Sequence, residues 1–432
     1  MTKKVLIIAY YWPPSGGSGV QRWLKFVKYM PQAGGKPYVF TPENPAFALR
    51  DESLLQDVPP EAEVIHFPIW EPYEIFFRIG RVFGSRKTAN PTEVVSLKSK
   101  SVFQKLSTWI RGNLFIPDPR KFWVRPSVNY LQKFLADNAI DTIITTGPPH
   151  SMHLIGYHLK KKNPALKWFA DFRDPWSEWG FLDSIMVGKT ARKLHQKLEA
   201  KVLATADAII TITPFYVRRF EALAKRKVHL LTNGYDEDDF KDLVIRKTDK
   251  FIIRHAGIVN EKCDPRPFMQ AVLELLNESP SFKEKVSVDF VGDVHPAFRQ
   301  FVNAIPALAA VTIFTPSIPH KQLIARYGES SVLLLILTGY KDAEGYMPGK
   351  LFEYLATGLP VLAVGPEHGD AANLLNETNA GQMIDESKTK AIRDFLLEKF
   401  EAWRDSSVEN RKPSGVEGYS RRVITKQLMD LI

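Results

Sequence analysis

The chain has 432 residues, of which 44% are hydrophobic and 25% charged, with one cysteine and a formal net charge of +10. These proportions are those of a globular protein, exclude a fibrous or wholly disordered chain, and leave room for two large domains. One cysteine cannot close an internal disulfide or form a zinc site, so we expect a cytoplasmic protein, and the positive charge favours an anionic partner without identifying it.

Short runs of β-branched and aliphatic residues recur between longer helical stretches. The first series predicts strands at residues 5–9, 38–41, 64–67, 142–145, 168–170, 208–212 and 228–231. The second predicts strands at residues 251–254, 286–291, 311–314, 332–337, 360–364 and 382–384. Strands that alternate with helices form parallel sheets. The sequence therefore predicts an α/β fold with two doubly wound, Rossmann-like domains that face each other across a cleft, where the ligands of such sheets bind.

A turn-rich acidic segment, 232–239, lies between the two series and is interpreted as an interdomain linker. We expect a first domain at 1–240, a second at 241–410, and a C-terminal helix at 411–432 that crosses back to the first domain. No apolar run approaches the roughly 18 residues needed to span a bilayer, and the run after Lys4 is too short for a signal peptide.

The segment 70–125 interrupts this rhythm. It contains eleven lysines and arginines, four aspartates and glutamates, and ten aromatic residues, so most of the net charge of the chain lies in it. This composition is typical of a surface that lies on anionic lipid. The alternative is that the aromatic residues belong to the core and the basic groups to a solvated face or a ligand site.

A glycine-rich turn, 13–22, directly follows the first predicted strand. Gly17 and Gly19 would let backbone N–H groups approach a phosphate or a sugar closely. The dinucleotide-binding fingerprint needs a third glycine where Arg22 stands, which disfavours a nicotinamide cofactor. The alternative is a flexible turn between a strand and a helix.

Two further loops follow predicted strands of the first domain. In the segment 145–153, Ser151 can cap the next helix, and His150 would project toward the cleft and donate to a hydroxyl or phosphate oxygen. A histidine bonded to the backbone is the alternative. In the segment 171–176 two aspartates flank an arginine. Asp171 would face the cleft and bind a substrate hydroxyl, or it would belong to a local ion-pair network.

The stretch 344–360 is the most informative part of the chain. Pro348 and Gly358 predict a short helix between two buried strands. Lys350 and Glu353 share a face near its start. There Lys350 and the helix N-terminus would hold a diphosphate, and Glu353 would accept hydrogen bonds from ribose hydroxyls. The alternative is an ordinary exposed Lys–Glu pair.

The first strand of the second domain ends in a glycine turn at Gly257. Lys262 and Arg266 follow closely and provide a second source of positive charge for a phosphate. The acidic run 236–238 resembles a metal-binding motif, but it lies in a turn where solvated acids are ordinary. We therefore expect no bound metal.

Five motifs of the chain resemble those of glycosyltransferase family 4, in the same order and across nearly the whole chain. They are the segments 13–22, 147–151, 171–176, 232–236 and 350–356. The resemblance implies a GT-B fold, a nucleotide-sugar donor held mainly by the C-terminal domain, no metal, and transfer with retention of anomeric configuration. It places Gly17 and Gly19 near the diphosphate and sugar, and it makes Lys262 the phosphate-binding and Glu353 the ribose-binding residue.

Two positions depart from the family pattern. The family often pairs two glutamates eight residues apart, but Gly345 stands eight residues before Glu353, and Glu344 comes one position too early. An arginine often follows the glycine of the phosphate loop, where this chain has Ile258. Phosphate binding would therefore depend on the two lysines, Lys262 and Lys350.

We interpret the chain as a cytoplasmic glycosyltransferase of the hexosyltransferase type that takes a UDP- or GDP-sugar as substrate and needs no cofactor. The residues assigned as catalytic are His150 and Asp171, and those assigned to the donor are Gly17, Gly19, Lys262, Lys350 and Glu353. The acceptor would be a glycan or a lipid-linked glycan of cell-surface polysaccharide assembly, met at an anionic membrane surface on its inner face. A catalytically inactive GT-B-like binding or scaffold protein is the alternative. Nucleic-acid binding is disfavoured because no recognition motif accompanies the basic residues.

Overall fold

A computed structural model describes residues 2–45, 50–71, 102–178, 180–339, 342–405 and 414–432. Its contacts divide the chain into two compact units. Unit 1 comprises Met1–Ile212, Tyr216–Thr232 and Thr425–Ile432, and unit 2 comprises Thr213–Phe215 and Asn233–Ile424. The contacts thus divide the chain after Thr232 rather than after 240. Most of the basic aromatic segment, residues 72–101, lies outside the described residues.

Unit 1 is built on a parallel sheet of seven strands. They are β1 Lys3–Ile8, β2 Gly35–Pro42, β3 Glu63–Phe67, β4 Thr142–Gly147, β5 Lys167–Phe172, β6 Ala208–Thr211 and β7 His229–Leu230. Its described helices are α1 Ser18–Tyr29, α2 Val102–Leu114, α3 Lys121–Asp137, α4 Ser151–Lys162, α5 Phe181–Ser184, α6 Lys189–Thr205 and α7 Pro214–Ala224. The strand order is β3-β2-β1-β4-β5-β6-β7, which is doubly wound with its switch point between β1 and β4.

Unit 2 repeats this plan with six parallel strands. They are β8 Phe251–Ala256, β9 Val286–Val291, β10 Thr312–Thr315, β11 Val332–Ile336, β12 Val361–Val364 and β13 Gly381–Ile384. The helices are α8 Arg266–Glu278, α9 Pro280–Lys285, α10 Pro296–Asn303, α11 Pro306–Ala309, α12 His320–Tyr327, α13 Gly349–Thr357, α14 Asp370–Thr378 and α15 Thr389–Arg404. The last helix, α16 Arg421–Leu431, begins in unit 2, but its residues from Thr425 onward belong to unit 1. The order is β10-β9-β8-β11-β12-β13, with the switch point between β8 and β11. The predicted α/β class and both parallel sheets are confirmed.

Strand β11 shows why the apolar runs form buried parallel strands. Its residues are all buried, but alternate side chains enter different hydrophobic clusters. Leu334 and Ile336 pack into one cluster, whereas Leu333 and Leu335 pack into the other. Full burial of each such side chain contributes about 1.5–3 kcal/mol, so a continuous apolar strand is stable where both faces of a sheet are covered.

Glycines bring the loops after the strands of unit 2 close together at the carboxyl edge of the sheet. Gly257 follows β8 with φ +121°, and Gly292 follows β9 with φ +131°. A Cβ on Gly292 would lie 2.5 Å from the carbonyl oxygen of Gly257, and a Cβ on Gly339 would lie 2.4 Å from that of Lys262. Backbone therefore packs on backbone at this edge, which is possible because these residues lack side chains.

None of the described helices combines the length and the apolar character needed to cross a membrane.

Candidate functional site

Lys350 lies in the first turn of α13 and reaches back to the end of β8. Its Nζ donates to the carbonyl oxygen of Ala256 at 2.9 Å and lies 3.4 Å from Nε2 of His255. The other ring nitrogen of His255, Nδ1, lies 2.9 Å from the carbonyl oxygen of Leu334. Because a carbonyl can only accept, Nδ1 carries the proton and Nε2 is left to accept from Lys350. Two acceptors thus fix the ammonium group, which has a third N–H to offer.

The environment of Lys350 weakens its hold on its proton. Burial of the ammonium group lowers the pKa of Lys350 to about 8, although the nearby Cys263 and Glu353 act in the opposite direction. Burial and the charge of Lys350 lower the pKa of His255 well below its ordinary value, so this imidazole is neutral. A Cβ on Gly257 would lie 3.1 Å from Nζ of Lys350. A glycine beside a buried ammonium group is what a closely approaching anion requires.

Glu353 lies one turn after Lys350 and is held by a different helix. Its Oε1 lies 3.0 Å from Nε2 of His320, and the hydroxyl of Tyr327 donates to Oε2 at 3.2 Å. Both partners belong to α12. Glu353 keeps 22% of its side chain exposed, so the carboxylate is oriented but still accessible. Lys350 and Glu353 have separate partners, and the interpretation as an exposed Lys–Glu pair is wrong.

Two cations follow β8, Lys262 in the loop and Arg266 at the start of α8. The side-chain oxygen of Asn260 accepts from the backbone N–H groups of Lys262 and Cys263, each at 2.9 Å. This bond shapes the loop and leaves the Lys262 side chain exposed. Arg266 instead pairs with Asp264 on its own turn at 2.5 Å. Both cations expected for a phosphate are exposed, but the guanidinium of Arg266 already has a counter-ion on its own turn.

In unit 1, Asp171 at the end of β5 is an internal partner of Arg22. The arginine donates from Nη2 at 2.8 Å and from Nε at 3.2 Å, while Trp23 and Thr146 donate to the same carboxylate at 2.7 and 3.0 Å. Burial alone would raise the pKa of Asp171, but these partners hold it below its ordinary value. The side chain is 0% exposed. The expectation that Asp171 faces a substrate is wrong, because its carboxylate is enclosed by donors.

The predicted glycine turn begins α1. Gly17 is exposed, and a Cβ there would meet no atom within 4 Å. Glycine is favoured at this position because φ is +93°, a backbone conformation that other residues rarely adopt. The carbonyl oxygen of Gly19 accepts from Nη1 of Arg173 at 2.7 Å. Arg173 also donates to the carbonyl oxygen of Pro148. This arginine therefore joins the glycine turn to the loop after β4.

His150 is packed inside unit 1. It is 5% exposed, and its ring stacks on Trp176 with centroids 4.8 Å apart and planes 1° from parallel. Burial lowers the pKa of His150 well below its ordinary value, and the charges of His153, His195 and Arg173 lower it further. His150 was expected to project toward the cleft and donate to a ligand, but the stacked ring of Trp176 holds it in the interior of unit 1.

A residue distant in sequence caps the helix that follows His150. The carboxylate of Asp118 accepts from the backbone N–H and from the hydroxyl of Ser151, each at 2.9 Å. Ser151 is the first residue of α4 rather than its cap, so the predicted capping role is wrong. A carboxylate at a helix N-terminus is favourable because it meets unpaired N–H groups and the positive end of the helix dipole.

The buried histidines of unit 1 predict that stability falls in mild acid. Burial lowers the pKa of His153 to about 3 and that of His195 to about 4, while His150 is also shifted downward. The unfolded chain protonates these groups near pH 6.5, whereas the folded chain keeps them neutral. The contribution of these histidines to the free energy of unfolding is therefore fully present above about pH 6.5. It decreases as the pH falls below this value, by up to ~1.4 kcal/mol per pH unit for each histidine.

We expect the melting temperature to decrease between pH 7 and pH 5, measured by differential scanning calorimetry over about this range. His195→Asn is the matched variant, since an amide oxygen can replace Nδ1 as the acceptor of the 3.0 Å bond from Trp176. This variant should show a shallower dependence on pH. A melting temperature that stays constant on acidification would contradict the prediction.

The acidic run 236–238 has partners within unit 2. Asp236 accepts from the backbone N–H of Asp238 at 3.1 Å, and Glu237 pairs with Arg422 at 3.0 Å. Across the described ranges, no group of three or more His, Cys, Asp or Glu side chains is arranged to hold a metal ion.

Three residues of the site, His255, His320 and Tyr327, were not among those predicted from the sequence. None of them belongs to a local motif with Lys350 or Glu353. A signal for His255 exists in the strand order, because β8 and β11 are neighbours and α13 follows β11. No comparable signal identifies the two α12 residues, which reach Glu353 through the packing of α12 against α13.

No protein family and no curated protein sequence matches the chain.

Solved structures match it over nearly its whole length. A glycosyltransferase from Rickettsia africae is 12% identical with a TM-score of 0.63, covering 100% of this chain and 97% of that one. WaaG, a glycosyltransferase involved in lipopolysaccharide biosynthesis, is 14% identical with a TM-score of 0.57, covering 99% of this chain and 99% of that one. HepE from Anabaena, solved in complex with UDP-glucose, is 12% identical with a TM-score of 0.59 over 99% and 98%. The chain thus has the two-domain α/β fold of GT-B glycosyltransferases.

Proposed function

We propose that this protein is a metal-independent glycosyltransferase that takes a sugar from a UDP- or GDP-sugar and transfers it with retention of configuration. The observation that carries the proposal is the paired arrangement on α13. There Lys350 offers an enclosed ammonium group beside Gly257, and Glu353 offers an oriented, accessible carboxylate. A cation for a diphosphate and an acceptor for ribose hydroxyls lie one helical turn apart at the carboxyl edge of a doubly wound sheet.

In the proposed mechanism the residues of unit 2 stabilise the departing nucleoside diphosphate. Lys350 and Lys262 neutralise the charge that develops on the leaving oxygen, and the first N–H groups of α13 add to this stabilisation. Glu353 fixes the ribose and thereby the position of the anomeric carbon. The acceptor hydroxyl attacks from the face that the leaving group vacates, and its proton passes to the departing phosphate oxygen. The protein contributes positioning and charge.

The residues of unit 1 take different parts in the proposal. Gly17 and Gly19 form the backbone surface against which a sugar or phosphate would lie. Asp171 and His150 act as positioning residues, since the first fixes Arg22 and the second holds the loop after β4 against Trp176. The acceptor we propose is a glycan or lipid-linked glycan of cell-surface polysaccharide assembly, met by a cytoplasmic protein that binds peripherally at the inner face of an anionic membrane.

The first test is nucleotide binding as a function of pH. A ligand that binds the folded state raises the melting temperature, so UDP, GDP and their sugars can be compared by thermal shift. Because the pKa of Lys350 is about 8, the cation is present below this pH and is lost above it. We expect affinity for UDP or GDP to decrease from about pH 7 to pH 9, by at most tenfold per pH unit above the pKa.

Activity separates the enzyme from a scaffold protein. Release of UDP or GDP from a nucleotide sugar in the presence of an acceptor extract, unchanged in EDTA, supports the proposed transferase. Binding of nucleotides without release of the diphosphate would favour an inactive binding protein. If neither nucleotide shifts the melting temperature at any pH, the proposed donor site is wrong.

A further inference from the structure

Helix α6 of unit 1 carries a stripe of exposed lysines. Lys189, Lys193, Lys197 and Lys201 stand four residues apart, and all are exposed. Residues at this spacing lie on one face of a helix. Like charges at this spacing repel one another, so the stripe does not stabilise the helix. Its positive potential is directed to the solvent.

The end of α4 extends the stripe. Lys161 and Lys162 are exposed at the C-terminus of α4, which packs against α6. Burial lowers the pKa of His158 on α4, and the charges of Lys162, Lys201 and Lys161 lower it further. These three lysines therefore surround one histidine, which places the end of α4 beside the end of the α6 stripe. We call the six exposed lysines of these two helices the lysine face.

The two helices provide no acidic side chain to neutralise this face. The sequence of α4 contains no aspartate or glutamate, and α6 contains only Glu199. Glu199 is 3% exposed and accepts from the backbone N–H groups of Trp176 and Ser177 on the opposite side of the helix, each at 3.3 Å. The positive charge of the lysine face is thus uncompensated by its own helices.

Exposed apolar side chains lie next to the start of the stripe. Asn113, at the end of α2, donates to the carbonyl oxygens of Trp109 and Met186 at 2.8 and 3.0 Å and so ties α2 to the residues before α6. Trp109 and Met186 are 44% and 42% exposed, and Leu106 and Leu194 are also exposed. Large apolar side chains gathered beside a basic face mark an interaction surface.

We propose that the lysine face and these apolar side chains dock unit 1 on an anionic lipid bilayer. The lysines attract acidic headgroups, while Trp109, Leu106 and Leu194 enter the boundary between headgroups and acyl chains. A nucleic acid would use the charge but not the apolar side chains. This surface is where the proposed membrane partner would bind. The inference rests on the proposed function in one respect, because docking would give the protein access to a lipid-linked acceptor.

The test measures co-sedimentation of the full chain with phosphatidylcholine vesicles that contain or lack phosphatidylglycerol. We expect binding to vesicles with phosphatidylglycerol at low salt and release at high salt, because screening shortens the range of the attraction. The variant K193Q/K197Q/K201Q should bind these vesicles about a hundredfold more weakly. Trp109→Ser should weaken binding at both low and high salt, since the apolar contribution is not screened.

The matched control is K283Q/K321Q/K390Q, which removes three exposed lysines from unit 2 and should bind vesicles like the unchanged chain. Equal binding to neutral vesicles, or equal losses in the two triple variants, would overturn the inference. So would a salt-sensitive gel shift of duplex DNA that K193Q/K197Q/K201Q abolishes while vesicle binding is absent. Affinity for UDP or GDP, measured on the same variants, tests the proposed function separately, because Lys350 and Glu353 belong to unit 2.

Discussion

Replacing Lys350 with methionine is expected to lower affinity for UDP or GDP by roughly ten- to a hundredfold. A hydrogen bond to a charged group contributes about 1.5–3 kcal/mol, and removing the ammonium group removes both the charge and its remaining N–H. Methionine keeps most of the aliphatic stem, so the packing of α13 should persist. The measurement is isothermal titration calorimetry at about pH 7, with transfer rates measured in parallel.

Two variants control this experiment. Arg266→Gln removes a cation that already pairs with Asp264 on its own turn, and it should leave nucleotide affinity nearly unchanged. Lys350→Arg keeps the charge but changes its shape, and it should retain part of the affinity. The dependence of affinity on pH near 8 should disappear in Lys350→Met. Wild-type affinity in this variant would show that the diphosphate does not contact Lys350.

Replacing Asp171 with asparagine is expected to destabilise unit 1 strongly. The substitution leaves the Arg22 guanidinium buried without its counter-ion, and breaking a buried ion pair on one side costs about 3–5 kcal/mol. We expect the melting temperature to fall by roughly 10 °C. Thermal and urea unfolding of the purified variant would measure the loss.

The exposed pair of Arg192 and Asp183 provides the control within the same unit. Its side chains are 31% and 60% exposed, so Asp183→Asn should change stability by less than ~1 kcal/mol. If Asp171→Asn melted like Asp183→Asn but lost its activity, the carboxylate would act on the substrate rather than on Arg22. Loss of both stability and activity is the expected result for a positioning residue.

The expectations for the glycine turn and for α13 depended on local sequence. Gly17 directly precedes α1, and Pro348 and Gly358 flank α13. Proline restricts the backbone angles and glycine widens their range wherever these residues occur, so the ends of the two helices can be predicted locally. Lys350 and Glu353 share the start of one helix for the same reason. Their partners are less local, since His255 and His320 are 95 and 33 residues away along the chain.

The expectations for His150 and Asp171 failed for one physical reason. Each residue lies in a loop or strand end where polar groups often face a ligand, and its sequence neighbours allow either an exposed or a buried position. Stacking on Trp176 and donation from Arg22 decided the outcome. Both contacts join distant segments, so no window of sequence around His150 or Asp171 contains them.

The sequence by itself determined the two parallel sheets, because β-branched and aliphatic runs that alternate with helical stretches are buried on both faces only when helices cover both sides of a parallel sheet. It also determined which loops follow the strands at the carboxyl edge. The tertiary structure alone decided the electrostatics of the side chains in those loops. Burial, and the partners that burial brings within hydrogen-bond distance, set the pKa of Lys350 near 8 and enclosed Asp171 among donors. These quantities depend on the distances between segments that only the folded chain brings together.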